Sequence, residues 1–304
     1  KVLSAIKNSN YIPNNRARDL VRTKSDAVGL VVRGVSNPFY TDIIRAIERT
    51  ITDAGFTMVM QQIGTCDDEV KCGAVMEREK RLQGSVFLGG RFDYTPADLA
   101  MLNVPFVCCS YSNRYGTLIE GEYSSVSIAD GDTAQQAVEE LYRHGHRRIA
   151  ALISRPNDQS ISQLRYEGYV QALESHGIPV DPELVISTGG FSAKDAYRAV
   201  QEKMAENVDF TALFAIADSM AIGAMRALMD AGRRIPEDCS VIAIDGLELS
   251  AYIEPPLTTL CQPMEEMGRR SAEILLDMVR HKGSHACELL PTTLRRGRSV
   301  AAPR

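Results

Sequence analysis

At 304 residues, with 44% hydrophobic and 24% charged content, the chain is long enough for two lobes and has the composition of an ordinary globular protein. No run reaches the ~20 apolar residues of a membrane-spanning helix, and Lys1–Lys7 lacks the apolar run and cleavage site of a secretory leader, so a cytoplasmic chain without a membrane role is expected. The net charge of −5 is uneven: six basic residues against Asp19 give residues 1–24 a charge of +5, leaving −10 on the rest, so the arm and not the body would meet a polyanion.

Beyond Lys24, β-rich runs alternate with helical periods. Strands are predicted at Ala27–Arg33, Phe56–Gln61, Gly84–Leu88, Pro105–Cys109, Ser125–Ala129, Arg148–Ser154, Leu184–Thr188, Ala212–Ile216 and Ser240–Asp245. Between them apolar residues recur at helical spacing, as in Ile43, Ile44, Ile47 and Ile51, or Ala134, Ala137, Val138 and Leu141. The alternation predicts an α/β fold of parallel, doubly wound sheets, and nine strands divide better over two similar lobes than in one sheet. Asn37 before Pro38, Asp130, Ser192 and Asp218 each stand where a helix should open. In such folds a ligand sits beyond the carboxyl ends of the strands. Asn37–Tyr40, Asp130, the Asn157–Arg165 region, Phe191, Asp218 and Asp245 are therefore candidates for one shared cleft.

Enzyme chemistry finds no support along the chain. A nicotinamide cofactor needs a glycine-rich turn after the first strand, but here Gly34 is followed by Val35-Ser36-Asn37-Pro38-Phe39-Tyr40, whose rings would block a pyrophosphate. There is no Walker lysine motif and no nucleophile elbow, and Gly189-Gly190-Phe191-Ser192 fits a loop before a helix better than an anion nest. The seven cysteines (66, 72, 108, 109, 239, 261, 287) are odd in number and form no C-x-x-C pair, which predicts reduced thiols. The five histidines show no metal-ligand spacing, so neither a metal nor a cofactor is expected. What remains is binding: Phe39, Tyr40 and Phe191 offer faces for a flat ligand or a sugar, Arg165 offers a guanidinium fork, and Asp130 and Asp245 accept hydrogen bonds.

These segments together resemble the lactose/galactose-repressor (LacI/GalR) family of bacterial regulators over essentially the whole chain. The likeness is carried by Tyr11-Ile12-Pro13-Asn14 with Ala17-Arg18-Asp19-Leu20, Val28-Gly29-Leu30-Val31-Val32, and Ser36-Asn37-Pro38-Phe39-Tyr40. It continues through Gly145-His146-Arg147-Arg148-Ile149-Ala150, Arg165-Tyr166-Glu167-Gly168-Tyr169, Asp218-Ser219-Met220-Ala221-Ile222-Gly223-Ala224, Ile235-Pro236, Ser240-Val241-Ile242, Asp245 and Leu257-Thr258-Thr259-Leu260.

The resemblance implies a two-lobed core of periplasmic-binding-protein type behind a helical DNA-binding headpiece, of which residues 1–24 match only the last helix and the hinge helix. The lobes would be 25–129 plus 263–290 and 130–262 plus 291–304, with crossings near Ala129, Gln262 and Leu290. It implies a homodimeric repressor on operator DNA. Asn15, Arg16, Ala17, Arg18, Leu20 and Arg22 fall on its DNA-contacting positions, with Leu20 wedged into the minor groove and the arginines on phosphates. Effector contacts would fall on Phe39, Tyr40, Asp130, Gln159, Ile161, Arg165, Phe191, Asp218 and Asp245. Ala217 departs from the asparagine of many sugar-responsive members, and Gln159 and Ile161 depart from purine-responsive ones. A sugar or sugar derivative is the expected effector. The rival expectation, a periplasmic solute-binding protein, shares the two lobes but not the hinge motif.

Overall fold

The alternating pattern folds into two six-stranded sheets in a computed structural model that describes residues 25–34 and 37–304. The expected DNA contacts Asn15, Arg16, Ala17, Arg18, Leu20 and Arg22 lie outside the described residues. The first sheet holds β1 (Ala27–Arg33), β2 (Thr57–Ile63), β3 (Gly84–Leu88), β4 (Phe106–Cys109), β5 (Ser125–Ser127) and β11 (Cys287–Leu289), in the order β11-β5-β4-β3-β1-β2 and all parallel. The second holds β6 (Ile149–Ile153), β7 (Val185–Ser187), β8 (Ala212–Ala215), β9 (Ser240–Asp245), β10 (Thr258–Cys261) and β12 (Thr293–Arg295), ordered β12-β10-β9-β8-β6-β7. Only β12 runs antiparallel to its neighbour.

Strands buried on both faces explain the near-continuous apolar runs. In β1, Val28, Leu30 and Val32 point to one side, where α1 (Tyr40–Asp53) contributes the fully buried Ile43, Ile47 and Ile51 and α8 (Met264–His281) contributes Met267 and Leu275. Ala27 and Val31 point to the other side, against Val70 and Met76 of α2 (Glu69–Lys80). Cys108 and Cys109 alternate in the same way, so both are core thiols, and no cysteine among the described residues is bridged. Each of the three isoleucines contributes ~1.5–3 kcal/mol through burial. In the second lobe α4 (Asp130–Arg143) packs on α5 (Ile161–Ser175), and α6 (Ala193–Ala205) on α7 (Asp218–Asp230).

The chain passes from the first sheet to the second between Ser127 and Asp130. It returns after Cys261, through Gln262 and Pro263, into α8, which packs on α1 and on β3, β4 and β5. It crosses again between Leu289 and Thr293. Three strands were not expected from the sequence: β10, β11 and β12. β11 and β12 are three residues long and partly exposed, so they carry no alternation to read and exist by pairing with β5 and β10. The first helix also begins later than Asn37-Pro38 implied, at Tyr40; Asn37 Oδ1 accepts the Phe39 N–H (3.1 Å) in the turn before it.

Close approach of α4 and α5 requires glycine at 168, where a Cβ would stand 2.1 Å from the Gly131 carbonyl oxygen and 2.9 Å from the Ala134 Cβ. Gly168→Ala is expected to force the two helices apart and cost ~1–3 kcal/mol, the range for overpacking a filled core. Urea unfolding checks this; an unchanged midpoint would show that the pair yields without cost.

Candidate binding cleft

The loops leaving the carboxyl ends of β1, β2, β3 and β4 face those leaving β6, β7, β8 and β9, and together they enclose a cavity of about 550 Å³. That volume lies within the ~300–1,000 Å³ common to small-molecule sites. Seven of the nine sequence-expected residues line it: Phe39, Tyr40, Gln159, Ile161, Arg165, Phe191 and Asp245. Phe39 is nearly buried and leans on Tyr40, their ring centroids 5.7 Å apart. Burial pushes the Tyr40 hydroxyl up to about 12, so it remains a neutral donor.

Arg165, at the start of the second turn of α5, is the centre of the cleft's polar chemistry. Its Nε donates to Asp130 Oδ1 (2.9 Å), and its Nη1 donates to the Ile216 carbonyl and lies 3.3 Å from Asp245 Oδ1. Burial works against the guanidinium charge, but Asp130 and Asp245 outweigh it and hold the arginine ionised. Gln262 Nε2 also donates to Asp245 Oδ1 (2.8 Å), whereas Oδ2 of Asp245 is buried with no partner among the described residues. An unsatisfied buried acceptor at a cavity wall costs free energy that an incoming donor would recover. Burial pushes the Asp245 carboxyl up to about 7, with Arg165 opposing and Asp218 adding to the rise. Three residues with positive φ, Ser110 (55°), Gln159 (48°) and Asp245 (139°), all line this cavity; such conformations cost ~1–3 kcal/mol each and gather at ligand sites.

Asp130 and Asp218 do not line the cavity, for different physical reasons. Both open helices, yet neither caps its own helix. Asp130 stands behind Arg165 and is spent on it. Asp218 is fully buried and accepts from Leu247 N (2.8 Å), Ser250 Oγ (2.7 Å) and Thr259 Oγ1 (2.6 Å), which ties the loop after β9 to β10. Its neighbour Ala217 faces the cleft instead.

The sequence reading missed most of the first lobe's wall: Arg33, Thr65, Cys66, the Gly89–Asp93 turn and Ser110. The rule that found Asn37–Tyr40 applies equally to the ends of β2, β3 and β4, and Gly89-Gly90 directly after β3 was the available signal. No group of histidine, cysteine or acidic residues among the described residues could hold a metal ion, and no described helix is long and apolar enough to cross a membrane.

Residues 138–300 match the periplasmic binding protein-like domain family. The chain is 37% identical to the HTH-type transcriptional regulator MalR of Clostridium butyricum, over 97% of this chain and 88% of that protein. Its fold is similar to that of the transcriptional regulator CelR in complex with cellobiose (TM-score 0.80, 31% identity, 98% of this chain and 89% of the other). It is also similar to the lac repressor dimer bound to operator and the anti-inducer ONPF (TM-score 0.80, 25% identity, 96% of this chain and 100% of the other).

The Asp245 carboxyl gives the cleft a pH signature. In an unfolded chain this group titrates near ~3.9, so between there and about 7 the folded protein keeps a proton that the unfolded chain has released. The stability it contributes is fully present below about pH 4 and is lost as pH rises through about 7. Urea unfolding at about pH 5 and about pH 8 is expected to show a smaller loss between the two in Asp245→Asn than in the native chain; parallel losses would assign the proton elsewhere.

Proposed function

Because the chain belongs to the lactose/galactose-repressor (LacI/GalR) family of transcriptional regulators, we propose that it is a ligand-responsive repressor whose two lobes close on a carbohydrate effector. The observation that carries the proposal is the buried, unpartnered Oδ2 of Asp245 beside Arg165, in a cleft that also holds the rings of Phe39, Tyr40 and Phe191. A carboxylate acceptor, a guanidinium donor and aromatic faces are the complement of a polyhydroxylated ring with apolar C–H faces. The cellobiose bound by CelR supports the same class. Gln159 and Ile161, which also line the cleft, would be further effector contacts, with Asp130 acting through Arg165 and Asp218 through the loop it fixes. Binding without turnover is the proposed activity, which the relatives support as transcriptional regulators. The relatives support a regulator over a periplasmic solute-binding role.

The lobes are taken as 25–129 plus 263–290 and 130–262 plus 291–304, joined by three crossings. Gln262, on one crossing, hydrogen-bonds Asp245 in the cleft, so an effector contact is felt where the lobes join. Closure would reset the spacing of the two N-terminal arms in a cytoplasmic homodimer, with Asn15, Arg16, Ala17, Arg18, Leu20 and Arg22 against operator DNA. Ligand shifts this equilibrium only by its differential affinity for the two lobe arrangements.

A thermal-shift screen against sugars, polyols and purines tests the effector class. One sugar is expected to raise the melting temperature, and Phe191→Ala to weaken its binding by up to about tenfold, the stacking share of the contact. In the intact regulator, saturating effector is expected to change operator affinity by about 5- to 150-fold. Unchanged operator affinity would remove the regulatory half of the proposal, and a purine hit would replace the carbohydrate.

A further inference from the structure

The carboxyl ends that line the cleft span four strands in each sheet. On one side they run from Ser110 after β4, past β3 and β1, to Thr65 after β2. On the other they run from Asp245 at the end of β9, past β8 and β6, to Phe191 after β7. Three strand spacings of ~4.8 Å make each wall about 14 Å long. The inner end lies by the lobe crossing, where Gln262 meets Asp245, and the outer end lies between the edge strands β2 and β7. A single hexopyranose, about a dozen non-hydrogen atoms packed as in an organic solid, fills on the order of 200 Å³. The cavity of about 550 Å³ is more than twice that.

The outer end is built, not left over. Glu69, 1% exposed at the start of α2, accepts the Arg91 backbone N–H at 2.7 Å and the Tyr94 hydroxyl, and so pins the turn after β3. Gly90 permits that contact, since a Cβ there would lie 2.6 Å from Glu69 Oε1. Arg91 in turn reaches Asp93 (2.9 Å) and Asp68 (3.3 Å), the residue capping α2 after β2, which draws the turn toward the outer edge. Arg91 and Asp93 remain about one-third exposed and face into the cleft. Opposite them, Asp195 takes the Ser192 hydroxyl (2.6 Å).

The charges are closed. Three of the cleft's arginines already sit beside carboxylates: Arg33 by Glu69, Arg91 by Asp93, and Arg165 by Asp130 and Asp245. Asp158 and Asp195 add further negative charge to the lining, and only the exposed Arg155 lacks a carboxylate partner among the described residues. A phosphate or carboxylate entering here would meet no free buried cation to replace its lost hydration, so an uncharged ligand is favoured.

Resting on the carbohydrate effector proposed above, we propose that the Arg91–Asp93 turn and Asp195 form an outer subsite for a second sugar ring, so that the effector is an uncharged saccharide of two or more units. The test is calorimetric titration of the full chain with glucose, with α- and β-linked neutral glucose disaccharides, and with glucose 6-phosphate, repeated on Asp93→Asn and Asp195→Asn. One neutral disaccharide is expected to bind at least about tenfold tighter than glucose, with the phosphate ester weaker than glucose, and each variant is expected to cut the disaccharide-to-monosaccharide ratio several-fold. A monosaccharide matching every disaccharide, a phosphate ester binding tightest, or variants that leave the ratio intact would overturn the subsite while leaving a carbohydrate effector standing. Binding of a purine nucleoside in place of all sugars would overturn both.

Discussion

A guanidinium held out of water between two carboxylates organises the cleft. Arg165 is 3% exposed, and a charge this deep persists only when opposite charge and hydrogen bonds replace its hydration. Asp130, Asp245 and the Ile216 carbonyl supply that replacement, and they come from the first turn of α4, the end of β9 and the residue following β8. One side chain therefore fixes two strand ends and a helix start relative to a fourth element, α5. Removing one member of such a buried group typically costs about 3–5 kcal/mol, because it strands the others without a partner. The ion group is thus as much a device for shape as for binding.

What the group leaves undone matters as much. Asp245 spends one oxygen on Arg165 and Gln262 and keeps the other buried and unpaired among the described residues, in a backbone conformation that costs free energy. The cost is tolerated because Asp218, fully buried nearby, bolts the following loop to β10 through three hydrogen bonds. Rigid support next to an unsatisfied acceptor is preorganisation: the site is shaped before a ligand arrives, so less ordering entropy is lost on binding. Gln262 extends the same network to a crossing between the sheets, which gives the cleft a physical route to lobe geometry.

The first lobe answers with a second network of the same kind. Glu69, buried beneath the turn after β3, holds a backbone amide of that turn and stands 3.5 Å from the Arg33 guanidinium. Both walls therefore present side chains held from behind by buried acids.

Much of this was legible in the sequence. The apolar runs at β1, β3 and β4 and the helical stripe at Ile43, Ile47 and Ile51 gave the layers, because both patterns are local properties of the chain. Asp130, Ser192 and Asp218 marked helix starts, and helix starts after strands mark a cleft, so the chain pattern alone places Arg165, Phe191 and Asp245 together. Sequence could not say which acids face the cavity. Asp130 and Asp218 occupy equivalent first-turn positions to the eye, yet their carboxylates are consumed by partners 29 to 41 residues away in the chain. Nor could it reveal β11 and β12, three-residue strands defined by their neighbours, or the Glu69-anchored turn, whose donor and acceptor are 22 residues apart. Local pattern determined the elements and the side of each that is buried. Only the tertiary structure decided which polar groups are satisfied and which remain free for a ligand, because that depends on partners brought together across the sheets.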